Sequence, residues 1–368
     1  MKTFKLITYF FSILIFLGCS KDESQPELEI VTGELPDDIY FPPLQGDTWE
    51  AVSFEQLEWN ESKAEELFTY LEEKDTKGFM ILYNGRIVAE KYYNGHNSTT
   101  SWPWYSAAKS LTATFVGIAQ EEGLLNINNK TSDYLGMNWT SLETEKENLI
   151  TVKHHLSMAT GLTDYLNQPI KWICNRPTCL EYTADAGARW AYHQGAFMLL
   201  QEMVTSVSGI SFEDYCKVKI ADKIGMSGQW TNQLGLNVYN TNTRGMARFG
   251  LLSQNMGKWD ASTIVSEEYF NEMINSSQDL NKAYGYCWWL NGKDSFLNID
   301  SQTTSNGSMI PNAPDDMFSA LGSQDQKIYV VPSRGLVIVR QGDRAGTSEL
   351  GASSFDNELW GKINEVLN

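Results

Sequence analysis

Basic charge is what this chain of 368 residues is short of: 28 Lys and Arg stand against 46 Asp and Glu, a formal net charge of −18. Nucleic-acid binding rests on clustered Lys and Arg, so that deficit argues against such a partner and for a soluble body. Histidine is scarcer still. His96, His154, His155 and His193 include one adjacent pair without the spacing of a zinc motif, and no Gly-x-Ser-x-Gly turn accompanies them. A Ser-His-Asp hydrolase and a metal centre therefore both rank low, and neither metal nor organic cofactor is expected. No internal repeat is visible. Aromatic residues, by contrast, are plentiful: 12 Trp, 17 Tyr and 16 Phe suffice for a large core and a cleft. Trp102, Trp104, Trp190, Trp288 and Trp289 are the candidates to line that cleft.

Long apolar runs are also missing, apart from one at the start. Met1-Lys2-Thr3-Phe4-Lys5 precedes an apolar stretch from Leu6 to Leu17 that is shorter than a membrane span needs. A basic head and a short apolar run read as a signal peptide over residues 1–18. The run ends in Phe16-Leu17-Gly18-Cys19, which resembles a bacterial lipobox and makes Cys19 a candidate for lipidation. The alternative is an ordinary signal with an incidental cysteine. Residues 19–48 are read as a tether, with Ser20 to Pro26 solvated, which places the protein in the cell envelope, lipid-anchored and periplasmic or surface-facing. Only four further cysteines follow. Cys174 and Cys179 flank a turn-like spacer and can form a disulfide in an oxidising compartment; two buried thiols, or less plausibly a zinc site, are the alternatives.

Residues 49–368 are read as one catalytic unit. Gly78 to Tyr92 predicts a β-hairpin around Asn84-Gly85. A helix is expected from Ser106 to Glu122, closed by Gly123, and mostly helical patterns run on to about Phe249, among them 152–160, 195–208 and 211–224. Strands return at 327–331 and 336–340, and a helix closes the chain over about 354–367. Strands at both ends with helices between predict an α+β fold: an α/β part, about 49–115 and 245–368, and a helical part, about 116–244.

The chemistry-bearing stretch is Tyr105-Ser106-Ala107-Ala108-Lys109. Serine and lysine three apart at a helix start lie on one face, one turn apart. Serine is inert until a base takes its proton, and a desolvated lysine can be that base. The flank Trp102-Pro103-Trp104-Tyr105 is expected to supply the desolvation. A capping serine and a surface lysine are the structural alternatives. Tyr192, just before a helix, can project its phenol into a cleft. To act as a base near neutral pH it needs a nearby cation, which Lys109 can supply.

Together these residues resemble the serine β-lactamase and penicillin-binding-protein superfamily, in its class C, β-lactamase-related branch. Ile150 to Leu162 is similar to the family's "ITVRHLLTHTSGL" segment. Leu199 to Gly209 is another family-like run, Lys223-Ile224-Gly225-Met226 stands for "PLGM", and Thr243 to Gly250 is similar to "S-x-x-D-M-A-R-F-G". The resemblance implies a β-lactamase/transpeptidase-like fold, an antiparallel sheet flanked by helices plus a mostly helical domain. It makes Ser106 the acylated nucleophile, Lys109 its proton acceptor or the cation that tunes it, and Tyr192 the general base for deacylation. It also places the third family motif at Ala320-Leu321-Gly322, with the backbone N–H groups of Ser106 and Ser323 as oxyanion hole.

Two departures bear on substrate. Gln194 replaces the asparagine of Tyr-x-Asn, and Ala320-Leu321 replaces Lys-Thr, removing the cation and hydroxyl that grip a β-lactam carboxylate. The expectation is a serine hydrolase of small esters, amides or peptide-like substrates, and a poor β-lactamase. Asp325 is either a charge favouring neutral or cationic substrates or a solvated turn residue, and His193 either a rim or a packing histidine. A non-catalytic envelope binding or sensor protein on the same fold is the reading from another class.

Overall fold

The computed structural model describes residues 28–348 and 351–368. The signal peptide, the Ser20 to Pro26 segment and Cys19 lie outside the described residues. An eight-stranded sheet forms the centre. Its strands run in the order Leu28–Ile30, Trp49–Ala51, Arg86–Tyr92, Thr76–Tyr83, Leu336–Gly342, Gln326–Val331, Phe318–Gly322 and Trp289–Leu290. The expected antiparallel pairing holds for most of it, but the first two neighbour pairs are parallel, so the sheet is mixed.

Local chemistry explains the centre. Asn84 and Gly85 both have positive φ, at 44° and 80°, as a tight type I′ hairpin requires. The adjoining strands carry continuous apolar runs such as Phe79–Leu82 and Leu336–Val339, buried because helices cover both faces. Helices Glu61–Glu73 and Ser354–Leu367 pack together on one side, and Thr243–Gln254 lies against the central strands on the other. Ala108–Glu121 is buried along nearly its whole length, wedged between the Gln194–Ser208 helix and strand Phe318–Gly322.

Two expectations need correction. Residues 28–48, read as tether, dock on the body: Arg86 holds both the carbonyl and the carboxylate of Asp38, and Arg248 donates to the carbonyls of Pro42 and Pro43. The region read as mostly helical to Phe249 is largely so, but it also contains a β-hairpin, Gly228–Gln233 with Leu236–Thr241, turning at Leu234 and Gly235, both with positive φ. That hairpin adds strand Trp102–Pro103 on its other edge, which sets it beside Ser106. The helix expected over 211–224 is present from Phe212 to Ile224, capped by Ser211, and contains a π-helical turn at Lys217–Ala221.

Candidate active site

Ser106 sits in a 3₁₀ turn, Tyr105–Ala107, that leads straight into the Ala108–Glu121 helix. The residue before it, Tyr105, is held at φ 48°, a left-handed conformation that costs energy for a side chain of its size. The turn puts Lys109 one helical turn along, and its Nζ donates to Ser106 Oγ at 3.0 Å. Lys109 is only 3% exposed. Burial drives its pKa down to about 7, against a weaker upward pull from Cys287. The expected desolvation is therefore present, but other groups supply it. The Lys109 ammonium position lies 4.7 Å from the Phe197 ring centre and 5.0 Å from that of Tyr192, whereas Trp104 packs away from it against Tyr239 and Phe249.

Tyr192 and Gln194 arrive on the start of the Gln194–Ser208 helix, which His193 caps by accepting from the Ala196 N–H. Gln194 Oε1 takes the second Lys109 hydrogen bond at 2.5 Å, so the departure from asparagine still serves the lysine. The buried Tyr192 phenol is pushed above its ordinary pKa by desolvation, and a hydrogen bond with Ser106 opposes that rise. Lys109 thus lies over the face of the tyrosine ring, and the lysine, not the phenol, is tuned to lose a proton near neutral pH. His193 is a buried cap whose pKa burial lowers to about 4; it is no rim residue.

Gly322 brings strand Phe318–Gly322 to the nucleophile. A Cβ there would stand 2.2 Å from the Trp104 carbonyl oxygen and 3.1 Å from the Ala107 nitrogen, so only glycine permits this approach. Ser323 follows and lines the same cavity as Ser106, Lys109 and Gln194. That cavity, about 250 Å³, has mostly apolar walls: Trp172, Phe197, Trp230, Leu236 and Val238. None of the five tryptophans expected in the cleft lines it. Trp104, Trp190, Trp288 and Trp289 are core residues, Trp289 stacking on Tyr192, and Trp102 bonds the Gly342 carbonyl. The real walls carried one usable signal, the alternation of Trp230, Leu236 and Val238 with polar neighbours in the hairpin.

Asp325 is neither a substrate charge nor a solvated turn residue. It is 3% exposed and accepts from the N–H groups of Ala345 and Gly346 and from Ser353, with Lys327 at 3.0 Å. Burial alone would raise its pKa, but Lys327 and those hydrogen bonds prevail and hold it at about 2. Cys174 and Cys179 form the expected disulfide, while Cys216 and Cys287 are buried free thiols. No group of side chains suited to holding a metal ion occurs among the described residues.

The sequence model of the beta-lactamase family matches residues 69–353. No curated protein matches the sequence. Among solved structures, one assigned as a 6-aminohexanoate-dimer hydrolase from Bacillus anthracis is similar at 20% identity and a TM-score of 0.64, over 82% of this chain and 81% of its own. One assigned as a beta-lactamase from Bacteroides dorei is similar at 15% identity and TM-score 0.67, over 84% and 99%. A family VIII carboxylesterase is similar at 14% identity and TM-score 0.58, over 83% and 96%. At these identities the likeness is one of fold.

Proposed function

The chain belongs to the beta-lactamase family, and from that premise we propose that it is a serine hydrolase cleaving a small ester or amide through an acyl-enzyme on Ser106. The observation that carries this reading is the buried Lys109 amine, 3.0 Å from Ser106 Oγ and with its pKa lowered to about 7. A base of that pKa is neutral in about half the molecules near pH 7, where general-base catalysis is most effective. Neutral Lys109 takes the Ser106 proton as Oγ bonds to the substrate carbonyl carbon. The Ser106 and Ser323 N–H groups stabilise the resulting oxyanion. As the intermediate collapses, the ammonium proton passes by the Tyr192 hydroxyl to the leaving oxygen or nitrogen, restoring neutral Lys109. In deacylation, water gives a proton back along the same route and adds to the acyl carbon. Ser106 leaves, takes that proton, and the acid is released.

The substrate needs no carboxylate beside the scissile bond. Ala320 and Leu321 are buried and offer no charge, and Lys327 is committed to Asp325 and Asp356. A buried substrate carboxylate would be left unpaired, at considerable cost. This supports a poor β-lactamase and an esterase or amidase. The Cys174–Cys179 disulfide suits an oxidising compartment, in line with the envelope location and Cys19 anchor we infer from the sequence.

Intact-mass spectrometry after incubation with a fluorophosphonate, beside Ser106→Ala, tests the reading. One adduct that vanishes in the variant is expected. Folded wild-type protein without an adduct would overturn it in favour of a binding protein.

A further inference from the structure

Resting on the hydrolase reading, we propose that Trp172 limits the size of the acyl group and that the Cys174–Cys179 disulfide is what positions it. Trp172 ends a single-turn helix, Pro169–Trp172, too short to hold its own place. Its ring forms one wall of the cavity beside Ser106. Three contacts lean this segment on the residues that carry the chemistry. The Trp172 indole N–H donates to the Tyr192 carbonyl at 3.3 Å. The Cys174 carbonyl oxygen lies where a Cβ on Gly195 would be 2.2 Å away, so the segment packs directly on the first turn of the helix begun by Gln194. The Asn175 amide donates to the Glu202 carboxylate two turns further on.

The other end of the loop is the firm one. Leu180, next to Cys179, is fully buried, and its carbonyl accepts from both the N–H and the hydroxyl of Ser141. Between the cysteines, Arg176, Pro177 and Thr178 are exposed. The disulfide therefore ties the Trp172 end of the loop to a buried anchor across an otherwise solvated tip. Opening it leaves the wall on one indole bond, one amide bond, a backbone contact, the partly exposed Lys171–Glu181 ion pair at 3.6 Å and the packing of Trp172 against the core, none of them covalent.

The occupant follows from shape and charge. The cavity is small, about 250 Å³, below the range usual for drug-sized ligands. Apart from Lys109, which is engaged with Ser106 and Gln194, the lining carries no charged side chain. The cavity thus suits a small, uncharged acyl group, with Trp172 as one of its walls.

The test compares kcat/KM for p-nitrophenyl esters from acetyl to dodecanoyl on the full chain, for wild type, Trp172→Ala, Trp172→Phe, the double variant Cys174→Ser/Cys179→Ser, and wild type reduced with dithiothreitol. Melting curves and near-ultraviolet circular dichroism confirm that each sample is folded. In Trp172→Ala, in the double variant and in reduced wild type, the dodecanoyl-to-butanoyl ratio should rise by about tenfold or more, mainly through KM. Trp172→Phe should stay near the wild-type ratio, and reduction should add nothing to Trp172→Ala. A wild-type ratio in the folded double variant, or an equal loss on every ester, overturns the inference. Fluorophosphonate labelling of Ser106 is followed in the same samples. Labelling with an unchanged ratio refutes this inference alone, whereas wild-type protein that does not label refutes the hydrolase reading and this with it.

Discussion

Replacing Gln194 with glutamate keeps the shape of the site and changes one charge next to the lysine. Gln194 Oε1 accepts from Lys109 Nζ at 2.5 Å, so the new carboxylate would face the amine directly. An opposite charge at about 4 Å and an effective dielectric of about 20 is worth about 4 kcal/mol. At about 1.4 kcal/mol per unit, that raises the lysine pKa by about three units. Lys109, lowered by burial to about 7, would return to the range of an ordinary lysine. The sign follows from which form is the base: the neutral amine activates Ser106, so acylation rises with pH through the lysine pKa and levels off above it. In wild type that limb should lie near pH 7, where burial places the lysine pKa. In Gln194→Glu it should move to about pH 10, and the rate near pH 7 should fall by about 10²–10³ as the neutral fraction shrinks. The assay is the second-order rate constant of fluorophosphonate adduct formation on Ser106, read by mass across the pH range in which the protein stays folded. A loss of rate with the limb still near pH 7, or one that is the same at every pH, would show that Lys109 ionisation does not gate the serine.

Gly322→Ala places a methyl 2.2 Å from the Trp104 carbonyl, so strand and nucleophile turn must part. The expected loss is in kcat, by about 10²–10³, as for a lost oxyanion donor, with a smaller change in KM in steady-state ester hydrolysis. Asp325→Asn probes the buried network behind Ser323. The carboxyl is held at about 2, below its unfolded value, so its contribution is present above about pH 4 and lost as pH falls through about 2. Urea unfolding near neutral pH should show a loss on the order of 2–3 kcal/mol that narrows in acid; an unchanged midpoint would refute the network's role. Nitrocefin should be hydrolysed no better by wild type than by Ser106→Ala, and efficient turnover would overturn the argument from the missing carboxylate partner.

The parts of the fold legible in the sequence were those decided by local chemistry. Asn84-Gly85 specifies its own turn, and the run from Gln194 to Ser208 carries a cap at one end and Gly209 at the other. The 228–241 hairpin was harder to read: Trp230, Leu236 and Val238 alternate with polar neighbours, but its turn at Leu234-Gly235 lacks the Asn-Gly signal, and its place beside the site comes from pairing with Trp102–Pro103, more than a hundred residues earlier. Asp325 escaped for a related reason. Its partners Ala345, Gly346 and Ser353 lie beyond the next strand pair, and nothing near Asp325 in the chain announces them.

The same division separates the chemistry of the site from its selectivity. Ser106 and Lys109 are one turn apart on one helix, so their spacing reads directly as a hydrogen bond, and the structure supplies it at 3.0 Å. The groups that desolvate the lysine and bound the cavity come from elsewhere: Phe197 from one helix, Trp230 and Val238 from a hairpin, Trp172 from the short helix just before the disulfide-closed loop. None belongs to a motif, and each is placed by tertiary packing. The proton-transfer groups are therefore constrained by spacing along the chain, whereas the walls are free to vary so long as Lys109 stays dry. Substitutions at Trp172 or Trp230 should then alter which acyl groups are accepted while leaving the pH limb near 7, and substitution at Phe197, which touches both the lysine and the cavity, should move the two together.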